Sequence, residues 1–411
     1  MSGAIMKVLH KPDSFMYINK DAFQYICGSD TENSLNIYNL ICRWDCFNKH
    51  NETLFDRTNT ICGPLKVTNI SPIPEFDINF NKSLKEICDM AATNILNEGK
   101  PVDIFWSGGI DSTVVVISFL NVCKDLSQIN IVYDKGGIDE YPLFYEKYVR
   151  GVTQEPVKIW VYENINLDDN IVVTGHPAQF LSQSHGGHHL GDLFGELKRL
   201  GFAKDDFKTI PWQEVFISDV TVFGNPMYDE YFIEHITPQV ENAPVKIETI
   251  SDLWWWLIFS MRWQTENIRP LINNRIQKLN HQKMQNFKPF FSTDDFQKWA
   301  MYDYDRNLRK TLPPFKTYLK DIIYDFTNDK DYYINKKKVM SGNAGPENAR
   351  RRGFIRTKLH KARYNIEAID NQYNIFTADS LYHLTAPHRP QAASFVDRED
   401  ILNRYRNPDY V

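Results

Sequence analysis

The chain has 411 residues, 42% hydrophobic and 14% aromatic, enough apolar material for two or three domains with a substantial core, which excludes bulk disorder. A formal net charge of −5 argues against a protein that coats nucleic acid over its whole surface, although a local basic patch is compatible with it. No apolar run approaches the length of a membrane span, and Met1 to Lys7 lacks a signal-peptide core, so the expected location is the cytoplasm.

Residues 1–75 carry short apolar pieces, Phe23 to Cys27 and Leu35 to Trp44, and close on the proline-punctuated Ser71-Pro72-Ile73-Pro74-Glu75. They read as a small N-terminal domain followed by a linker. The six cysteines, Cys27, Cys42, Cys46, Cys62, Cys88 and Cys123, lie in the first third without C-x-x-C spacing. That pattern favours reduced, buried thiols over a zinc site or a disulfide framework, with a spatial cluster of Cys42, Cys46 and Cys62 as the alternative. Leu84, Ile87, Cys88, Ala91, Ala92, Ile95 and Leu96 recur at helical spacing behind a capping Asn81 or Ser83, so a helix leads into the next segment.

That segment carries the chemistry. Ile104-Phe105-Trp106 is a short apolar run ending at Ser107-Gly108-Gly109, after which Ile110, Asp111, Ser112 and Thr113 open the apolar stretch Val114 to Leu120. Strand, glycine turn and helix start follow one another. Two adjacent glycines permit positive φ and close backbone approach, so successive N–H groups can converge on an anion where the helix dipole also favours negative charge. Ser107, Ser112 and Thr113 add hydroxyls. Asp111 is acidic where phosphate would sit, which makes sense if a divalent cation, magnesium, lies between them. The loop is not a Walker A loop, because no Gly-Lys-Ser/Thr follows, and not the dinucleotide fingerprint, because the third glycine is absent.

Downstream, Ile129 to Tyr133 reads as a strand, Tyr141 to Arg150 as a helix, and Val157 to Tyr162 and Ile171 to Thr174 as strands. Alternating strands and helices predict an α/β fold with a parallel, doubly wound sheet, whose ligands bind at the carboxyl ends of the strands, where Ser107 and Gly175 both sit. Beyond Asp206 the pattern turns helical over Tyr228 to Val240, Ile250 to Leu279, Asp294 to Tyr302 and Phe315 to Phe326; Trp254, Trp255, Trp256 and Trp263 read as core aromatics. Residues 336–363 are strongly basic, with Lys336, Lys338, Arg350, Arg351, Arg352, Arg356, Lys358, Lys361 and Arg363, and Gly342, Gly345 and Pro346 make the stretch a loop. The residues up to Val411 read as an irregular tail, and no internal repeat stands out.

Ser107-Gly108-Gly109-Ile110-Asp111-Ser112 resembles the PP-loop, Ser-Gly-Gly-x-Asp-Ser, of the N-type ATP pyrophosphatases. From about Asn81 to residue 340 the order of elements resembles the synthetase domain of asparagine synthetase-like proteins. The resemblance implies a division into residues 1–75, a PP-loop core over 80–205, a helical portion over 206–335, and a basic loop and tail over 336–411. It implies an AMP-forming ligase using ATP and Mg2+, which adenylates a carboxylate or carbonyl oxygen for attack by ammonia or an amine. Ser107, Gly108, Gly109, Ile110, Ser112, Thr113 and Gly175 map onto the pyrophosphate cradle and Asp111 onto a magnesium ligand. The family's second acidic motif is either lost, with Gln179 in place of the acid, or relocated to Asp192 in Gly191-Asp192-Leu193-Phe194-Gly195, which would be a second metal ligand. His185, His188 and His189 precede it and read as glycine-flanked loop residues. Family members that close amides on amines use a C-terminal lysine, for which Lys336 and Lys338 are the candidates, assisted by Tyr332 or Tyr333; a solvated lysine cluster is the other reading. The chain begins Met1-Ser2-Gly3 where asparagine synthetases begin with a catalytic cysteine, so a glutaminase is not expected. Two other functions fit the same loop: modification of a nucleic-acid or tRNA base, with residues 336–363 on phosphates, and nucleotide binding without catalysis.

Overall fold

In a computed structural model, residues 12–27, 37, 40–41, 54–152, 166–181, 197–217, 221–273, 279–305, 316–336, 363–370, 372–379 and 398–408 are described. The strand expected at 157–162 lies outside them.

Val102, Asp103, Ile104 and Phe105 are buried on both sides, as a central strand of a parallel sheet requires. Numbering the principal elements in chain order, β1 spans Phe15–Ile18, α1 Lys20–Cys27, α2 Leu84–Leu96, β2 Val102–Phe105, α3 Ile110–Val122, β3 Ile129–Val132, α4 Lys135–Glu140 and β4 Ile171–Thr174. They are followed by α5 Pro226–Glu241, α6 Ile250–Met261, α7 Trp263–Asn273, β5 Phe287–Pro289, α8 Asp294–Asp305, α9 Thr317–Thr327, α10 Lys330–Asn335, β6 Arg363–Ile369, β7 Tyr373–Asp379 and α11 Arg398–Tyr405.

Strands β3, β2, β4 and β5 lie in that order and are all parallel, with Ile104 opposite Ile131 on one side and Val173 on the other. The chain thus steps from β2 outward to β3 and then returns to the opposite flank of β2 with β4. The crevice between β2 and β4 is therefore the point where the winding reverses, the place at which open α/β sheets receive ligands. Alternation along the strands divides the core: Val102, Ile104, Ile131 and Val173 join the main cluster with α2 and α3, while Phe105, Val132, Val172 and Leu271 pack on the other face. Asp103, the buried acid of β2, is held by the amides of Asn130 and Asn170 at 3.0 and 2.8 Å.

Helix α2 starts where the sequence predicts it, with Ser83 and Glu86 forming a reciprocal capping box. Helix α3 buries every residue from Ser112 to Phe119, so an apolar stripe is absent and the helix is apolar all round. The single helix expected over Ile250 to Leu279 is two, α6 and α7, separated at Arg262. Periodicity cannot register that break because both halves continue the apolar pattern. Trp254, Trp255, Trp256 and Trp263 are core, each at most 3% exposed. The short β5, ending in Pro289, extends the sheet where no strand was expected; proline is tolerated on an edge strand.

A second sheet, in the order β1, β7, β6, joins the two ends of the chain, with β1 parallel to β7 and β7 antiparallel to β6. Two strands and α11 thus occupy a stretch that reads as irregular from sequence, because their order depends on partners some 350 residues earlier, such as Ser14, whose carbonyl accepts from Asn374. The N-terminal segment is stapled to the helical part by Arg57, which donates to Phe259 O, Gln297 Oε1 and Ser71 O and stacks on the Phe259 and Trp263 rings. No helix among the described residues is long and apolar enough to cross a membrane.

Candidate functional site

At the carboxyl end of β2 the chain turns through Gly108, whose φ of +69° only glycine adopts cheaply. Space dictates the same residue: a Cβ at Gly108 would lie 2.3 Å from the carbonyl oxygen of Gly137 and 2.7 Å from Glu140 Cβ. Ser112 ties the turn together. Its Oγ accepts from Ser107 N at 3.1 Å, lies 3.1 Å from Ser107 Oγ and donates to Gly109 O at 3.2 Å. Helix α3 begins with Gly109 as its N-cap and no side chain capping its first-turn amides. Those amides are the donors with which a helix start holds an anion. From the neighbouring strand, Gly175 closes the crevice: a Cβ there would sit 3.1 Å from Ser112 N and 3.2 Å from Asp111 Cβ.

Not every residue of the expected cradle faces outward. Thr113, expected to offer its hydroxyl to phosphate, is fully buried and accepts the indole N–H of Trp106 at 3.0 Å. Ile110 is likewise buried. A helix start must anchor its inward face, so these two and the buried Gly108 fix the loop's shape, while Ser107, exposed, and Gly109 and Asp111, half-buried, form its outer rim.

Two lysines, Lys316 and Lys336, reach the walls of the loop from the C-terminal part, and a third, Lys320, is buried behind them. Lys316, just ahead of α9, directs its ammonium at both carboxylate oxygens of Asp111, 2.5 Å from each. Its side chain is 7% exposed and that of Asp111 27%. Lys316 has φ +51°, a left-handed conformation costing a non-glycine residue about 1–3 kcal/mol, so the surroundings over-determine its position. Lys320, one turn further along α9, is buried, donates to Tyr333 O at 3.1 Å, and is pushed below the usual lysine range by burial and then by the nearby Lys336 charge.

Lys336 arrives beside the loop, as its candidacy requires, and is already engaged: its Nζ lies 2.7 Å from Glu140 Oε1 and donates to Glu140 O at 2.8 Å. Glu140 is the residue that crowds Gly108, so the pair forms one wall of the turn. Tyr332, one turn before Lys336, stacks on Tyr141 with ring centroids 3.9 Å apart. Its hydroxyl is buried without an aligned hydrogen-bond partner. Burial, followed by the charges of Tyr141, Glu140 and Asp111, holds this phenol well above the ordinary tyrosine range. Tyr333 points elsewhere, donating to Asp321 at 2.8 Å. Lys338, Asp192, His185, His188, His189 and most of the basic 336–363 stretch lie outside the described residues, as does the side chain of Gln179.

Two features escaped the sequence reading. Gly136-Gly137-Ile138-Asp139, after β3, repeats Gly108-Gly109-Ile110-Asp111, after β2, and the two turns interlock: a Cβ at Gly137 would lie 3.1 Å from Trp106 O. The recurrence of these four residues, each set three or four positions past a strand, was the available signal. The second feature is His176, immediately after Gly175. Its Nδ1 lies 3.2 Å from Glu266 Oε1, which also receives Arg269 at 2.6 Å, with Arg262 3.9 Å from the other oxygen. Glu266 is 2% exposed and His176 24%, and Nδ1 is the ring nitrogen turned toward the buried carboxylate.

Among the described residues no three side chains of metal-binding type cluster, so no preformed cage exists there. A single carboxylate beside an anion cradle does fit magnesium, which is characteristically held by one or two carboxylates together with substrate phosphates. Asp111 would hold it. No family model matches the chain, and no curated protein or solved structure matches it either.

Proposed function

We propose that the chain is an ATP pyrophosphatase-type ligase, forming AMP and pyrophosphate while activating a carboxylate or carbonyl oxygen for attack by a nitrogen nucleophile. The observation that carries this reading is the placement of a two-glycine turn with an uncapped helix start and a leading aspartate at the reversal point of a parallel sheet. Donors aimed at a departing anion, fixed before reaction, stabilise charge as it develops. Ser107 and the amides at the start of α3 would hold the leaving pyrophosphate, and the carboxylate of Asp111 would carry the magnesium that neutralises it.

The remaining residues supply orientation and proton transfer. Lys336, fixed by Glu140, and Tyr332, kept protonated, line the C-terminal side of the turn. His176 stands at the β4 end with its Nδ1 3.2 Å from the buried Glu266 carboxylate, which would fix the orientation of the ring beside Gly175. Holding both reactants over one loop converts a bimolecular reaction into a positioned one.

The test is product analysis. Incubated with ATP, magnesium and pooled carboxylates and amines, the protein is expected to release AMP and pyrophosphate in a 1:1 ratio, and Asp111→Asn is expected to lower this at least about 100-fold. Release of ADP and phosphate would refute α,β-cleavage, and AMP release untouched by Asp111→Asn would remove the loop from the reaction.

A further inference from the structure

We propose that Lys316 makes divalent-metal binding at Asp111 conditional on nucleotide: its ammonium occupies the carboxylate until a triphosphate draws it away, so metal and triphosphate load together and free metal is shut out. This rests on reading the glycine turn as a triphosphate site. The Lys316 ammonium spans both oxygens of Asp111 at 2.5 Å, leaving neither for a cation approaching from the same side. Two cations sharing one carboxylate repel strongly where water is scarce, and the Lys316 side chain is 7% exposed.

Metal alone therefore has to expel a buried ammonium, and the surroundings give it poor alternatives. Glu140, the acid on the neighbouring wall, is bridged by Lys336, and the next charged side chain on the same face of α9 is Lys320, another cation. Arrival of a triphosphate changes the balance by supplying anionic oxygens for both cations, so the ammonium can move to phosphate while metal takes the carboxylate. Lys316 is the N-cap of α9, a helix packed along α3, which fixes where its side chain begins. Because coupling between two ligands is reciprocal, nucleotide must raise metal affinity by the factor by which metal raises nucleotide affinity.

The experiment uses the full chain, Mn2+ followed by electron paramagnetic resonance, and α,β-methylene-ATP, which cannot be cleaved at the relevant bond. The wild-type protein is expected to bind free Mn2+ weakly and to bind it at least tenfold more tightly with the analogue present. Lys316→Met should bind free Mn2+ at least tenfold more tightly than wild type, with the gain abolished in Asp111→Asn/Lys316→Met and most of the coupling to the analogue lost. Lys316→Arg, which keeps the charge, should retain wild-type exclusion. If Lys316→Met fails to fold, Lys316→Gln is read in the same way. Unchanged Mn2+ affinity in the neutral variants, with analogue-dependent binding still requiring Asp111, would overturn the proposal. Analogue-dependent Mn2+ binding that ignores Asp111→Asn would instead refute the triphosphate reading of the loop.

Discussion

At Gly108 two independent penalties coincide, positive φ and lack of space, and they can be separated. Gly99 has φ +73° with nothing near its missing Cβ, so Gly99→Ala incurs the backbone cost alone, about 1–2 kcal/mol. Gly108→Ala adds a collision with the backbone oxygen of Gly137, which cannot rotate away, and is expected to cost about 1–3 kcal/mol more in urea unfolding. Equal effects of the two would mean that α4 yields easily. The Asp111 and Lys316 pair should be asymmetric in the same assay. Removing the carboxylate strands an almost wholly buried ammonium, about 3–5 kcal/mol, whereas Lys316→Met leaves a carboxylate that water can still reach and should cost clearly less. Lys320 has the opposite sign. Its folded-state pKa is lowered by burial, so the folded protein binds its proton less readily than the unfolded chain, and the penalty is full at low pH. Lys320→Met should therefore stabilise the protein fully from low pH up to the lowered folded-state pKa, the advantage shrinking as pH rises from there toward about 10.4, where unfolded lysine also loses its proton. An advantage that grows with pH would contradict the assigned direction.

Among the elements, what was readable was what is local. The β2, turn and α3 unit declares itself because strand burial, glycine φ and helix start are each set within a few residues, and α2 does so through its cap. Ser83→Ala should accordingly cost about 1 kcal/mol by calorimetry, since it removes the acceptor for Glu86 N and half of the reciprocal pair. The partners of the turn were not readable for the opposite reason. Lys316 meets Asp111 from 205 residues away and Lys336 meets Glu140 from 196, and no pattern in either neighbourhood encodes the other. Thr113 was assigned outward because its type suits phosphate. The indole N–H of Trp106, which needs an acceptor once buried, decided otherwise. The helix expected from Ile250 to Leu279 failed at Arg262 because an apolar stretch buried on every side carries no information about where its axis bends.

For the whole molecule, the second sheet is the feature that ties chain ends to each other, and it gives a prediction about where order is lost first. Among the described residues β1 has its only strand-length pairing with β7, supported by Asn19 N to Phe376 O at 3.0 Å, Asn374 N to Ser14 O at 3.1 Å, and Lys66 N to Tyr405 O at 2.9 Å beyond it. The four-stranded sheet that frames the glycine turn shares no strand with it. The N-terminal segment, however, is also held by Arg57 on α6 and by Gln264 of α7, whose amide donates to Met16 O at 3.0 Å and Thr68 O at 2.9 Å. Ending the chain at residue 362 should therefore not unfold the protein globally. It should strip β1 of β7 and expose Phe15, which packs on Phe376 and Tyr405, leaving β1 bonded through Phe15 to Lys66 and Thr68 and its other edge open to association. In hydrogen exchange the amides of Met16–Ile18 are expected to lose most of their protection while those of β2 and α3 keep theirs, because opening is local where few buried contacts remain. Equal loss in β2 would show that the glycine turn depends on the far sheet and that the two form one cooperative unit; retained protection in β1 would show that α7 alone suffices to hold it.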